Sequence, residues 1–364
     1  MKLELRRPRG ALAKCHENSE LSSSASRKQS FFVARNGDAF GTTRVFAAAK
    51  HAHLAYSFCM RYVLGFDGGG TKTECVLMNE TGHVVSQSHG GPSNPNRVGF
   101  GGAAASVCEA GHLAVSNAGV SIDDIEALCA GLAGTAYPES AVKMKRLLEE
   151  KFPCKAIRMC TDLDLTLEAA GTKAAIVLVA GTGSAAIGRD AQGKTERVGG
   201  HGYLLGDEGS AYHVGQRTVR VALRHFERTG KDTALGKRIL EETGELSWLE
   251  LQSRINAAPD EIFPRLFPIV LRAAESEDTS ARTVLDECAA ALAALVQDLA
   301  ERLRLQSEKV LLAKSGGMLG RSAYFDQRVD EQLRKALPFA QFGVLQMTPA
   351  EAAARMALRL LAPA

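Results

Sequence analysis

Between residues 60 and 200 the apolar positions fall in short runs parted by glycine-rich turns, the spacing of strands more than of helices. Residues 62–66 make one such run and end at Asp67, which predicts a buried strand. After the turn that follows, residues 73–78 and 83–88 predict two more strands, joined by the hairpin turn Asn79-Glu80-Thr81-Gly82. A helix is expected over 98–117, a strand over 125–132, and a helix over 137–152 with Pro138 in its first turn. A fifth strand, 156–160, runs into Thr161-Asp162. The theme then restarts with an apolar strand at 174–179, the turn Gly181-Thr182-Gly183-Ser184, a strand at 185–189, a turn at 190–193 and a strand at 194–198. From Glu208 onward the pattern is mostly helical, with one more strand at 309–313 leading to Ser315-Gly316-Gly317. Two strand–turn–strand–turn–strand units, each followed by helices, predict a duplicated α/β architecture.

Composition narrows what such a chain can do. With 45% hydrophobic and 23% charged residues the chain has the balance of a folded globular protein, and 364 residues allow two domains. No run approaches the ~20 apolar residues of a membrane span, so none is expected. Residues 1–59 hold ten basic and four acidic side chains, +6 in all, which leaves −3 for the remainder of a chain whose total is +3. A mildly acidic body offers no general hold on nucleic acid phosphates. The basic, Ser-rich segment 1–59 reads as a transit peptide or, with its acids Glu4, Glu17 and Glu20 and with Met60 just before the first strand, as a tail or an upstream start. The eight cysteines form no Cys-x-x-Cys pair and no zinc spacing, which predicts reduced structural thiols in a cytoplasmic protein. The expected organisation is an extension over 1–59, a first lobe over 60–171 and a second over 172–364, whose last helix packs back on the first.

The glycine turns carry the candidate chemistry. Gly65 to Thr73 imitates a P-loop, but Thr71 precedes Lys72, so Gly-Lys-Ser/Thr never occurs and a strand follows in place of a helix. The run from Gly181 fits a relaxed dinucleotide fingerprint, yet it too leads into a hairpin. What remains is a pair of Gly/Thr turns between adjacent strands, where glycines let backbone N–H groups converge on an anion. Asp67, at the end of the first strand, is placed to hold Mg²⁺ through water.

The run Asp67-Gly68-Gly69-Gly70-Thr71-Lys72-Thr73 resembles the first phosphate motif of the actin, hexokinase and Hsp70 superfamily. Further landmarks follow in the order of its N-acetylglucosamine kinase branch, grouped with the BadF/BadG/BcrA/BcrD-type ATPases. They are Gly91-Pro92-Ser93-Asn94, Gly131-Leu132-Ala133-Gly134, Thr161-Asp162, Ala180 to Ser184, Leu205-Gly206-Asp207-Glu208-Gly209-Ser210 and Ser315-Gly316-Gly317. The resemblance runs from Met60 to about Leu361. It implies two duplicated actin-like (RNase H-like) lobes with a cleft between them, and transfer of the γ-phosphate of ATP to the 6-hydroxyl of an amino sugar. ATP and Mg²⁺ are the implied cofactors. The expected partners are the sugar and ATP, with no nucleic acid or membrane, and the expected assembly is a homodimer.

On that resemblance Gly69, Gly70, Thr71, Lys72, Thr182, Gly183, Gly316 and Gly317 meet the phosphates of ATP. Asp162, at a strand end between the two units, is the candidate base, against the plainer reading of a helix N-cap. Asp164, two residues on, reads as a first-turn helix acid. Asn94 reads a sugar hydroxyl or serves as a turn residue. Asp207 accepts two hydroxyls, caps a helix, or does both. Gly134, Gly200 and Gly202 bring backbone near the sugar, and Ser184 touches sugar or phosphate. His201 stands where related kinases usually carry Trp, which leaves N-acetylglucosamine, glucosamine or another amino sugar open. At the C-terminus, residues 349–354 replace a Gly-Ala pair common in relatives and read as a helix. Two other classes remain: an ATPase activator of a 2-hydroxyacyl-CoA dehydratase or benzoyl-CoA reductase, which needs cysteines for an iron–sulfur cluster, and a sugar sensor with a degenerate ATPase site.

Overall fold

The first sheet grows outward from a strand buried on both faces. In the computed structural model, which describes residues 60–361, β1 (Tyr62–Gly68) has Val63, Leu64 and Phe66 fully buried. The expectations for residues 1–59, Cys15 and Cys59 included, lie outside the described residues. β1 pairs antiparallel with β2 (Thr73–Asn79), which pairs antiparallel with β3 (Val84–Gly90). On its other side β1 pairs parallel with β4 (Ile125–Leu132), which in turn pairs parallel with β5 (Ala156–Cys160).

The second sheet repeats this plan. β6 (Ala175–Ala180), β7 (Ser184–Arg189) and β8 (Thr195–Gly199) form the antiparallel meander, and β9 (Leu311–Ser315) and β10 (Gln341–Gly343) add the parallel strands. The strand orders are β3-β2-β1-β4-β5 and β10-β9-β6-β7-β8. Counted from the start of each unit, both read 3-2-1-4-5, so the duplication that the sequence pattern predicts is present. Two details differ from expectation. β9 lies two residues later than the apolar run suggests, because its register is set by pairing with β6. β10 has no sequence signal: it is three residues of an edge strand, two of them exposed and one a glycine.

Three helices tie these sheets to the site. α1 (Pro95–Ala118) packs Ala103, Val107, Ala110 and Ala114 over Leu64, Phe66 and Leu77. Contrary to the expectation from apolar runs, α1 is long and apolar enough by composition to cross a bilayer. Its small-residue face is instead packed on the sheet. α2 (Pro138–Glu149) lies beside it. α3 (Asp162–Glu168) sits between the sheets: Leu165 packs with Val63, Val76 and Cys129, whereas Leu163 and Leu167 pack with Ala175, Val177 and Ile187.

The second lobe adds α4 (Ala211–Thr229), α5 (Ala234–Thr243), α6 (Trp248–Ala257), α7 (Pro259–Glu275), α8 (Thr279–Leu303) and α9 (Ala323–Ala336). α10 (Pro349–Leu358) then returns to the first sheet, burying Ala350, Ala353, Ala354 and Ala357 against Val63, Val76 and Met78. Only glycine permits that approach, since a Cβ at Gly65 would lie 2.1 Å from the Ala354 amide nitrogen.

Candidate functional site

The first glycine turn is closed by its own backbone and tied to two neighbouring loops. The Gly69 amide donates to the Lys72 carbonyl at 3.0 Å. The Gly69 carbonyl accepts from the amides of Ser93 and Asn94, and the Gly68 carbonyl accepts from Ala133 at 2.8 Å. Thr73 Oγ1 donates to the Gly91 carbonyl at 2.6 Å and shares a 2.8 Å hydrogen bond with the Ser93 hydroxyl, fixing the loop that carries Asn94. Lys72 is exposed and ion-paired with Glu74. Arg97, which the sequence reading passed over, donates from Nη1 to the Gly70 carbonyl at 3.2 Å and so places a cation on the turn. Its only sequence signal is its position three residues after Asn94.

Asn94 is a helix cap: its Oδ1 accepts from the Asn96 amide at 2.9 Å at the start of α1. Gly134 has φ +84°, and a Cβ there would lie 2.4 Å from Asn94 Oδ1. The two candidate sugar-side residues are thus in contact.

Asp162 does not cap α3. Thr161 does, its Oγ1 accepting from the Asp164 amide at 3.1 Å while Asp164 Oδ2 accepts from the Thr161 amide at 2.9 Å. Asp164 is therefore the acid of a capping box, which leaves Asp162 as the first helical residue with its carboxylate uncommitted to the cap. Burial raises the Asp162 carboxyl above the usual range, against the pull of first-turn backbone amides and of Arg197. Asp67 is pushed up to about 7 by burial, by the facing charge of Asp162 and by Glu74, with Lys72 pulling the other way. The two carboxylates, each half-buried, therefore lie near enough for their charges to repel. Arg197, on β8, was also missed. It pairs across the ladder with buried Ile187, and a basic residue on the inward side of a strand was the signal available.

The second turn is bound to the loop before α4. The Gly181 amide donates to the Gly183 carbonyl at 2.8 Å, the Gly181 carbonyl accepts from Ala211 at 3.0 Å, and the Thr182 carbonyl accepts from Tyr212 at 3.4 Å. The Ser184 amide donates to Asp207 Oδ1 at 3.2 Å, and Ser184 Oγ donates to the Glu208 carbonyl at 2.7 Å. Asp207 is no helix cap either; Ser210 caps α4. Asp207 is held at φ +61°, a left-handed conformation uncommon outside glycine, and its carboxylate lies against Gly183. Burial raises its carboxyl, partly offset by the Ser184 amide. His213 Nδ1 accepts from the Gly209 amide at 2.8 Å, bracing this loop from α4.

Gly316, at φ +109°, abuts Ala180, where a Cβ would lie 2.2 Å from the carbonyl oxygen, and Gly317 lies beside Gly181. The β6–β9 register brings these residues together. Gly200 donates its amide to the Ser184 carbonyl at 2.9 Å, while His201 and Gly202 stand exposed in the loop that follows. The structure thus gathers three groups: the first turn with Asn94 and Gly134, the second turn with Asp207, Gly200, Gly316 and Gly317, and Asp162 between them.

The thiols are scattered, except that Cys129 and Cys160 Sγ atoms approach to 3.8 Å across β4 and β5. The 31-residue gap between them hides this contact from a spacing rule. All six described cysteines are free. Among the described residues no three His, Cys, Asp or Glu side chains cluster as a metal cage.

Comparison with known proteins adds three relatives and a family. The BadF/BadG/BcrA/BcrD ATPase family model matches residues 64–357. An N-acetylmuramic acid/N-acetylglucosamine kinase of Clostridium acetobutylicum is 29% identical over 73% of this chain and 88% of its own length. An N-acetyl-D-glucosamine kinase of Dictyostelium discoideum is 26% identical over 81% of this chain and 97% of its own. A Chromobacterium violaceum crystal structure, provisionally described as an N-acetylglucosamine kinase, superposes with a TM-score of 0.68 at 25% identity, over 82% of this chain and 99% of that one.

Proposed function

The chain belongs to the BadF/BadG/BcrA/BcrD ATPase family, and from that premise we propose that it is an amino-sugar kinase. It transfers the γ-phosphate of ATP to the 6-hydroxyl of N-acetylglucosamine or a close relative such as glucosamine. The observation that carries this reading is Asp162: a half-buried carboxylate outside the helix cap, on a helix packed against both sheets, between two glycine turns.

In this reading the Asp162 carboxylate takes the proton of the sugar 6-hydroxyl. The oxygen forms its bond to the γ-phosphorus as the bond to the β–γ bridging oxygen breaks and ADP leaves. A raised carboxyl pKa makes Asp162 a better proton acceptor than an exposed aspartate. The backbone amides of Gly70 and Thr71 and of Thr182 and Gly183 face the phosphates, with Gly69 closing the first turn through its own amide, Gly316 and Gly317 alongside, and Lys72 and Arg97 supplying positive charge. Asn94, Asp207 and Ser184 hold sugar hydroxyls, and Gly134, Gly200 and Gly202 let the backbone come close. His201 walls the sugar site with a smaller, hydrogen-bonding ring in place of Trp, so the 2-substituent is the position where specificity departs from relatives.

The residues fit Mg²⁺: Asp67 and Asp162 are hard oxygen donors whose mutual repulsion a divalent cation relieves, and Mg²⁺ usually takes one or two carboxylates and completes its shell with water and phosphate. Asp67 would hold it through water. When bound, Mg²⁺ neutralises charge on the β- and γ-phosphates. The free thiols are compatible with a reducing, cytoplasmic setting.

The test is Asp162→Asn in a coupled ADP-release assay with N-acetylglucosamine, glucosamine, N-acetylmuramic acid, N-acetylmannosamine and glucose. Sugar-dependent turnover should fall by about 10²- to 10⁴-fold, with ATP binding by calorimetry close to wild type. Unchanged turnover would remove Asp162 from the mechanism.

A further inference from the structure

A groove of about 580 Å³ opens where the end of α3, the β7–β8 hairpin and α10 meet. It joins the two lobes, because the hairpin belongs to the second sheet and α10 is seated on the first. Its charged lining is one-sided: Lys173, Arg189, Arg355 and Arg359 surround a single carboxylate, Glu168.

The pairings show how far that charge is compensated. Glu168 is shared, its Oε2 accepting from Arg189 Nη1 at 3.1 Å and its Oε1 from Arg359 Nη2 at 3.0 Å. Burial pushes the Glu168 carboxyl up, but the two guanidiniums outweigh it and hold it below the usual range. Arg189 also donates to the carbonyls of Thr172 and Lys173, which fixes its plane. Among the described residues Arg355 is paired only with Glu351, one turn back on its own helix, at 2.9 Å. Lys173 forms no ion pair among the described residues. Asp190, at the hairpin, turns its carboxylate inward to the amides of Gln192 and Lys194. Counting ion pairs alone, four cations against Glu168 and Glu351 leave two positive charges without an ionic partner. A phosphate monoester near neutral pH carries about that much negative charge, −1.5 to −2, on three acceptor oxygens.

We propose that this groove binds a phosphate dianion, free or carried by a sugar phosphate, and that the bound anion links the two lobes. The anion gains from Lys173 and Arg189 on one side and from Arg355 and Arg359 on the other, so it favours whichever lobe angle brings the two pairs closest. Guanidiniums already held by carboxylate and carbonyls lose little freedom on meeting a further anion. Nothing in the site assigned to ATP and sugar uses these residues.

Calorimetric titration with inorganic phosphate and with glucosamine 6-phosphate tests this, with MgAMP-PNP saturating so that the glycine turns are filled. Wild-type protein should show saturable binding of at least one of the two. Lys173→Ala combined with Arg355→Gln should weaken it about tenfold or more. Lys173→Met alone, which breaks no ion pair and so spares the fold, should move in the same direction. Saturation by phosphate alone identifies free phosphate as sufficient, and saturation by glucosamine 6-phosphate alone identifies the sugar ester. No saturable binding to wild type, or equal affinity in the double variant, would overturn the proposal. Because binding is read directly, neither outcome depends on whether the chain phosphorylates an amino sugar.

Discussion

Replacing Gly131 by alanine tests whether the placement of α3 sets the rate. Gly131 lies on β4 in register with Asp67 of β1 and Cys160 of β5, directly beneath the first turn of α3. A Cβ there would lie 2.3 Å from Leu165 Cγ and Cδ1 and 2.9 Å from the Thr161 carbonyl oxygen, where ordinary contact begins at 3.4 Å. The shortfall is therefore 1.1 Å toward Leu165 and 0.5 Å toward Thr161, by subtraction from 3.4 Å. Leu165 is fully buried among Val63, Cys129 and the alanines of α10 and has no free space to enter. The helix must move instead, and its first residue is Asp162.

Overpacking of this kind costs about 1–3 kcal/mol of stability, or roughly 2–10 °C in Tm for a protein of this size. A shift of about 1 Å in a catalytic group costs about 100-fold in rate. The Gly131→Ala protein should thus lose about two orders of magnitude in kcat for N-acetylglucosamine, with the KM for ATP within a few-fold of wild type and a lowered Tm. A lowered Tm with full kcat would refute the link between α3 placement and turnover. Unchanged values of both would refute the close packing of α3 on β4.

Three more outcomes follow from the same contacts. Gly65→Ala should lower Tm by several degrees, about 1–3 kcal/mol of overpacking, and Ala354→Gly should not rescue it, because the clash is with the α10 backbone. Asp207→Asn keeps a side chain that tolerates the left-handed backbone but loses the charge. It should raise the sugar KM about tenfold while kcat changes less, as steady-state kinetics will show. The Glu168 carboxyl sits below its unfolded value, so its stabilising contribution is present above the unfolded pKa and lost as pH falls through the folded one. The gap in Tm between wild type and Glu168→Gln should accordingly be widest near neutrality and close as pH drops below about 4.

Much of the fold was legible because it is written in local periodicity. A short apolar run, a glycine turn and a second run form a hairpin whatever surrounds them, and the repeat of that series after residue 171 announced the duplication. Pro138 and Pro95 stand at helix starts, where a missing N–H costs nothing. β10 escaped because three edge residues, two of them exposed, have no period, and the apolar length of α1 escaped because alanine and glycine interrupt its strongly apolar positions.

By itself, then, the chain determined every described strand but β10, its two phosphate-type turns, and the placing of Asp67 at a strand end and of Asp162 just past one, since each follows from residues within a few positions of one another. Only the tertiary structure decided that Asp207 is bent left-handed against Gly183 and that Arg197 comes near enough to Asp162 to pull on its carboxyl. It alone brought α10 back across Gly65, set Cys129 beside Cys160, and gathered four cations at the junction of the lobes. Those facts depend on segments far apart in sequence being pressed together by burial, and neither the period nor the spacing of residues along a chain records which distant segment will arrive.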